Sequence, residues 1–167
     1  MPKIIENLRE RLLEEAMRQI AESGYGAMTV RSVAAACGVG VGTVYNYFPS
    51  KDALAAAFML RDWSLCIAAI EDAACSDFPE PVLRCIHSQL RMFSADHQAL
   101  FRDEAAAATF AGSFSRYHAL LRSQLAAPIR KFCADDFAAE FIAEALLTWT
   151  MAGKDFEEIW HIVHRLF

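Results

Sequence analysis

The chain has 167 residues, of which 55% are hydrophobic and 22% charged, and a formal net charge of −5. That length suits one ordinary domain, or a small domain joined to a larger one. No uninterrupted apolar run reaches the roughly 18 residues of a membrane span, and the charged stretch over residues 1–15 has no signal-peptide core. The expectation is therefore a cytoplasmic protein with no membrane partner. The charge is uneven: residues 1–52 hold six Lys/Arg and six Asp/Glu, whereas residues 53–167 hold ten and fifteen. A neutral head with a few well-placed cations can meet phosphate, and an acidic body is held away from it. The five cysteines (Cys37, Cys66, Cys75, Cys85 and Cys133) are odd in number, scattered, and form no Cys-x-x-Cys, which points to free thiols packed as small hydrophobes.

No strand-like alternation persists anywhere, and the glycines and prolines fall between helical stretches. The first helix is expected over about Lys3 to Glu22, with Ile5, Leu8, Leu12, Ala16 and Ile20 in one stripe and Gly24 and Gly26 ending it. Thr29 caps a short helix to about Cys37. After Gly38 a second short helix runs from about Gly40 to Tyr47, and Pro49 ends it. Ser50 then caps a long helix to about Ala74. Further helices are expected near residues 80–95, 98–110, 113–133 (with a kink at Pro128), 135–152 and from Asp155 onward, giving an all-α chain of about nine helices.

The informative stretch runs from Thr29 to Lys51. Two short helices crossing closely need a small residue at the contact, which Ala34 supplies, and a turn residue tolerant of positive φ, which Gly38 supplies. Val30, Val33, Cys37, Val39, Val44 and Phe48 are spaced to share a core. Gly42, Thr43, Tyr45 and Asn46 are left on the outer face of the second helix. This is the helix-turn-helix pattern, whose second helix enters the major groove of double-stranded DNA. Asn46 can both donate to and accept from a base edge, with adenine as its natural partner. Tyr45 can reach a base methyl or a phosphate, and Lys51 opens the next helix where a phosphate can dock.

The sequence from Gly42 to Lys51, Gly-Thr-Val-Tyr-Asn-Tyr-Phe-Pro-Ser-Lys, follows a threonine-led helix and a Gly-Val turn. It resembles the DNA-binding domain of TetR-type transcriptional regulators over about residues 5–60. The resemblance implies a helix-turn-helix domain over residues 1–50 and a helical effector-binding and dimerisation domain over residues 51–167. It implies a homodimer on a near-palindromic operator, acting as a repressor that a small apolar or amphipathic effector releases. It also implies base-edge contacts from Gly42, Tyr45 and Asn46 and phosphate contacts from Thr29, Thr43, Tyr47 and Lys51, with Arg31 a further DNA-binding candidate. Gly40-Val41 departs from the Ser-Lys that many relatives carry before Gly-Thr, losing a capping hydroxyl and a cation. The chain is also short for that family, so a trimmed C-terminal domain is expected.

Beyond residue 58 the aromatics are mostly core. Trp63, Phe93, Phe110, Tyr117 and Trp149 are the candidates for lining the effector cavity that the resemblance implies. The helix from Asp135 to Ala152 is apolar nearly all round. The last helix carries Phe156, Ile159, Trp160, Val163, Leu166 and Phe167 as a stripe. Pairing both with a second copy buries them, with Phe141, Trp149, Ile159, Trp160, Val163 and Phe167 at the interface and their other face on the long helix from Lys51. Two further readings stand beside this one. In the first, the helix-turn-helix regulator has no effector and a body serving only dimerisation or protein contacts. In the second, the chain is a helical metal-binding or enzymatic bundle. Glu158-x-x-His161 is half of a di-iron motif without a second half, and Cys85 and His87 point apart on one helix. No catalytic set, metal site or cofactor is read from the sequence.

Overall fold

The computed structural model describes residues 7–167, with side chains outside residues 111–116. Lys3 and Ile5 of the first expected helix lie outside the described residues, as do the side chains of Ser113 and Phe114. The described elements are helices, in the order α1 (Leu8–Ser23), α2 (Val30–Ala36), α3 (Val41–Tyr47), α4 (Lys51–Ala73), α5 (Pro79–Asp96), α6 (Gln98–Phe101), α7 (Glu104–Ala126), α8 (Asp136–Met151) and α9 (Phe156–Val163). Short 3₁₀ turns over Arg130–Phe132 and His164–Leu166 complete them.

Two expected boundaries move. The helix expected over 98–110 splits at residues 102–103, and α7 runs through position 112 instead of stopping there. Asp103 causes the first change: its carboxylate accepts the N–H of Ala105 at 2.9 Å and of Ala106 at 3.1 Å, which caps a new helix start. A single glycine inside a long helix costs only about 1 kcal/mol, too little to break α7. The kink expected at Pro128 is instead an end: α7 stops at Ala126 and a 3₁₀ turn follows.

The chain forms two compact units, the residues up to Asp62 with His97–Ala111, and Trp63–Asp96 with Gly112–Phe167. The expected division at residue 50/51 runs differently, because the first turns of α4 belong to the head's core. In the first unit, α1 contributes Leu8, Leu12, Leu13, Ala16 and Ile20. Leu54, Ala55 and Phe58 of α4, Leu100 of α6 and Ala106 of α7 complete that core. Glu10, Arg61 and Asp62 tie α1 to α4 through ion pairs of 3.3 and 2.7 Å. The imidazole of His97 lies 3.2 Å from Asp62 and stacks on Phe58.

In the second unit α5 is the central element. Its Val82, Leu83, Ile86, Leu90 and Phe93 are buried, and both α8 and α9 pack on it. Cys85 turns its thiol toward the Ala69 carbonyl, whereas His87 donates from Nε2 to the Lys154 carbonyl at 2.9 Å. The two side chains thus face different neighbours, as their spacing requires. The C-terminal pair of helices was expected to pack on the long α4; its inward side rests on α5. All five cysteines are free.

Among the described helices α4 alone is long and apolar enough to cross a membrane. Its Arg61–Asp62 pair interrupts that stretch, and Leu54, Ala55 and Phe58 are buried in protein core. Leu65 on the same helix is 65% exposed. Leu54→Ala should therefore lower unfolding stability by about 2–5 kcal/mol, and Leu65→Ala by less than about 0.5 kcal/mol. Urea unfolding followed by circular dichroism reads both; equal losses would contradict this packing.

Candidate nucleic-acid interface

The interface is built from two seven-residue helices joined by a tight turn. Thr29 opens α2 with a capping box: its hydroxyl accepts the Ser32 N–H at 3.0 Å, while the Ser32 hydroxyl accepts the Thr29 N–H at 3.1 Å. Gly38 takes φ +69°, a conformation that side-chain-bearing residues rarely adopt, and the chain reverses there. The turn closes by bonds from the Gly38 and Val39 N–H groups to the Ala35 and Ala34 carbonyls. Arg11 of α1 holds it from outside by donating to the Cys37 carbonyl at 3.4 Å. Val30, Val33, Ala34, Cys37, Val44 and Phe48 are buried, and Val39 packs partly against them. The core expected from the spacing of these residues is the one observed.

The outward residues of α3 follow from that anchoring. With Val44 fully buried, Tyr45 and Tyr47 are 51% and 47% exposed, Asn46 is exposed, and Thr43 is half-buried. Among the described residues a Cβ at Gly42 would meet nothing within 4 Å, so the backbone itself is open to an approaching surface there. Gly40 gives no side-chain cap to α3, consistent with the lost hydroxyl. Thr29 and Arg31 are exposed at the start of α2. The structure thus brings Arg31, Gly42, Thr43, Tyr45, Asn46 and Tyr47 onto the helix-turn-helix, with Thr29 and Lys51 at its two ends.

Lys51 is held in a seat that the sequence did not reveal. Its Nζ lies 4.1 Å over the Tyr25 ring and donates to the Gly26 carbonyl at 3.4 Å. A cation over an aromatic face is attracted by the ring quadrupole. The Tyr25 hydroxyl in turn donates to the Asp52 carboxylate. Arg9 is a second missed cation: its guanidinium lies 5.5 Å from the centre of the Phe48 ring at the end of α3, paired with Glu10. Neither Tyr25 nor Arg9 carries a periodic or motif signal; each is found only through its packing partner.

The body candidates fare less evenly. Trp63 and Phe93 pack edge to face at 5.5 Å, and the Trp63 indole donates to Gln124 at 2.7 Å. Phe110 packs instead on the head's core, 6.0 Å from the Tyr25 ring. Tyr117 and Trp149 are half-exposed. Phe110 belongs to the first unit and the other four to the second, where Trp149 points outward from α8. Of the interface candidates, Phe141, Trp149 and Phe167 are exposed and Trp160 is half-buried. Ile159 and Val163 are corrected: with Phe156 they form the inward stripe of α9 and are buried within the chain. Phe137, Ile162 and Leu166 are exposed in their place. Glu158 works as a helix cap, accepting the Asp155 N–H at 3.1 Å and pairing with Lys154 at 2.9 Å.

Residues 12–58 match the family described as bacterial regulatory proteins, tetR family. The HTH-type transcriptional repressor KstR of Mycobacterium tuberculosis is 41% identical over 56 residues, 34% of this chain and 26% of that protein. The HTH-type transcriptional regulator UidR of Escherichia coli is 30% identical over 74 residues, 44% of this chain and 34% of that protein. The chain thus matches about a quarter to a third of the length of these curated relatives. Among solved structures, a transcriptional regulator (TerR/AcrR family) of Aquifex aeolicus aligns over 95% of this chain and 94% of its own, with a TM-score of 0.69 and 19% identity. The fatty acid degradation regulator FadR of Bacillus halodurans aligns over 94% of both chains, with a TM-score of 0.56 and 20% identity. These structural likenesses are likenesses of fold, and they extend over the C-terminal helices that the sequence reading expected to be trimmed.

Burial, with Asp52 alongside, pushes the Tyr25 hydroxyl up to about 12. A hydroxyl whose folded-state value is raised stabilises the fold fully below its unfolded value near 10 and loses that contribution as pH rises toward 12. Tyr25→Phe should thus flatten the fall in stability between about pH 10 and 12, a difference readable in urea unfolding of both proteins across that range. Parallel curves would contradict the Tyr25–Asp52 assignment.

Proposed function

We propose that the chain is a TetR-type regulator, a sequence-specific DNA-binding transcriptional regulator acting as a homodimer, on the match of residues 12–58 to the bacterial regulatory proteins of the tetR family. The observation that carries the reading is the outer face of α3, where Gly42, Tyr45, Asn46 and Tyr47 stand open while Val44 and Phe48 anchor the helix from behind. Asn46 and Tyr45 meet base edges, and Thr29, Arg31, Thr43, Tyr47 and Lys51 meet phosphates. Repression is the mode carried over from the Mycobacterium tuberculosis relative.

The dimer places two such faces in successive major grooves of a near-palindromic operator. Its support is the apolar surface left on α8 and α9: Phe137 is 76% exposed and Ile162 66%, with Phe141, Trp149 and Phe167 alongside. Apolar residues left open in such number mark an interaction surface. Release by a small apolar or amphipathic effector belongs to the same proposal and is carried over from the family resemblance, since Trp63 and Phe93 are buried against each other.

Selection from a pool of randomised duplexes tests the reading. The wild type should enrich an inverted repeat, and its binding should weaken steeply with salt. Asn46→Ala should relax the preference at one base position per half-site, by about 1–3 kcal/mol, and leave the rest of the motif intact. Enrichment of no sequence by the wild type would overturn the assignment of α3. Ile162→Asp should yield monomers with native helix content in sedimentation, since its side chain supports only the contact between copies. A wild type that sediments as a monomer at micromolar concentration would overturn the dimer.

A further inference from the structure

We infer that Asp103, outside the helix-turn-helix, is a positioning residue for DNA binding: it holds the 24–26 loop in the place where that loop seats the Lys51 ammonium. This rests on the reading of Lys51 as a phosphate contact. The carboxylate of Asp103 does two things at once. One oxygen caps α7 through the N–H groups of Ala105 and Ala106. The other accepts the Gly26 N–H at 3.3 Å, across 77 positions of sequence. The opposite end of the same residue, the Gly26 carbonyl, accepts from Lys51. Gly26 is therefore gripped from one side by an anion and from the other by the cation that is to meet phosphate.

The loop is shaped for this grip. Gly24 takes φ +82°, and a Cβ there would lie 3.1 Å from the second Asp103 oxygen. Only glycine both adopts that backbone and admits the carboxylate. Tyr25, between the two glycines, supplies the ring under Lys51, and Phe110 of α7 packs against that ring at 6.0 Å. The first turns of α7 thus fix both the backbone and the aromatic half of the Lys51 seat. The N–H donors, Ala106 foremost, hold the Asp103 carboxyl below the usual carboxylate range, so the grip is charge-assisted at neutral pH. Without it the ammonium keeps its charge but loses its fixed direction, and ordering a free lysine against a phosphate costs side-chain entropy.

The test uses the full chain and a labelled duplex carrying the inverted repeat that the wild type enriches. Its affinity is measured by fluorescence anisotropy over a potassium chloride series. Lys51→Ala should bind on the order of tenfold more weakly, with a shallower salt dependence. Asp103→Ala should reproduce both effects while retaining native helix content, and the double variant should be no weaker than Lys51→Ala alone. Asp103→Asn, which keeps an acceptor oxygen, should recover most of the affinity. A purely structural cap would lower the melting temperature and leave the salt dependence untouched. If Asp103→Ala does not fold, Gly24→Ala disturbs the same grip from the loop side and should show the same shallower slope. Wild-type affinity and slope in a folded Asp103→Ala or Gly24→Ala, or additive losses in the double variant, overturn the inference while leaving the Lys51 contact standing. A wild type that enriches no DNA overturns both.

Discussion

A helix of seven residues is unstable by itself in water, since isolated helices below about 12–15 residues are marginal. Everything that α3 offers to a partner therefore depends on how firmly Val44 and Phe48 are buried against α1, α2 and α4. That burial fixes the rotation of α3, and the rotation decides which residues face out. Tyr45, Asn46 and Tyr47 are exposed because Val44 is not, and Gly42 is open because none of the described residues of the head crosses that side. The turn at Gly38 and the Arg11 contact to the Cys37 carbonyl add direction to the same anchoring. The exposed face of α3 is a consequence of the core behind it.

The cations show the same economy. The chain is acidic as a whole, and its first 52 residues are neutral, so under the proposed function bulk charge does not draw it to DNA. A few positive groups held in defined places then have to act on phosphate. Lys51 has a ring beneath it and a carbonyl beside it, and Arg9 lies against Phe48 at the end of α3. The acidic residues near them serve structure: Asp52 holds Tyr25, Glu10 pairs with Arg9 and Arg61, and Asp103 caps α7.

What the sequence made legible is local. The capping threonine, the small residue at the crossing, the positive-φ glycine and the apolar spacing of the helix-turn-helix lie within 23 consecutive positions, Thr29 to Lys51. Short-range rules suffice there, and the core they specify is the one observed. Beyond residue 60 the same rules lose force, because an aromatic inside a core and one on an outer face look alike in sequence. Ile159 and Val163 read as interface residues because they lie on the apolar stripe of the last helix, and only packing on α5 and α8 separates the inward part of that helix from Ile162 and Leu166. The break at Asp103 was missed for a related reason. An aspartate in a helical stretch is ordinary until its carboxylate is seen capping two amides and reaching Gly26. Tyr25 likewise has no signal of its own; its meaning comes from Lys51, 26 positions away.

The central claim is that the outer face of α3 meets the DNA. It is tested most directly by nuclear magnetic resonance of the labelled protein titrated with the enriched duplex, following the backbone amides of residues 29–51 and the side-chain amide of Asn46. The account predicts that the largest shifts fall on Thr29, Arg31 and the residues from Gly42 to Lys51, with the Asn46 side-chain amide among them. Saturable binding that leaves these signals in place and moves those of α5, α8 or α9 instead would contradict it.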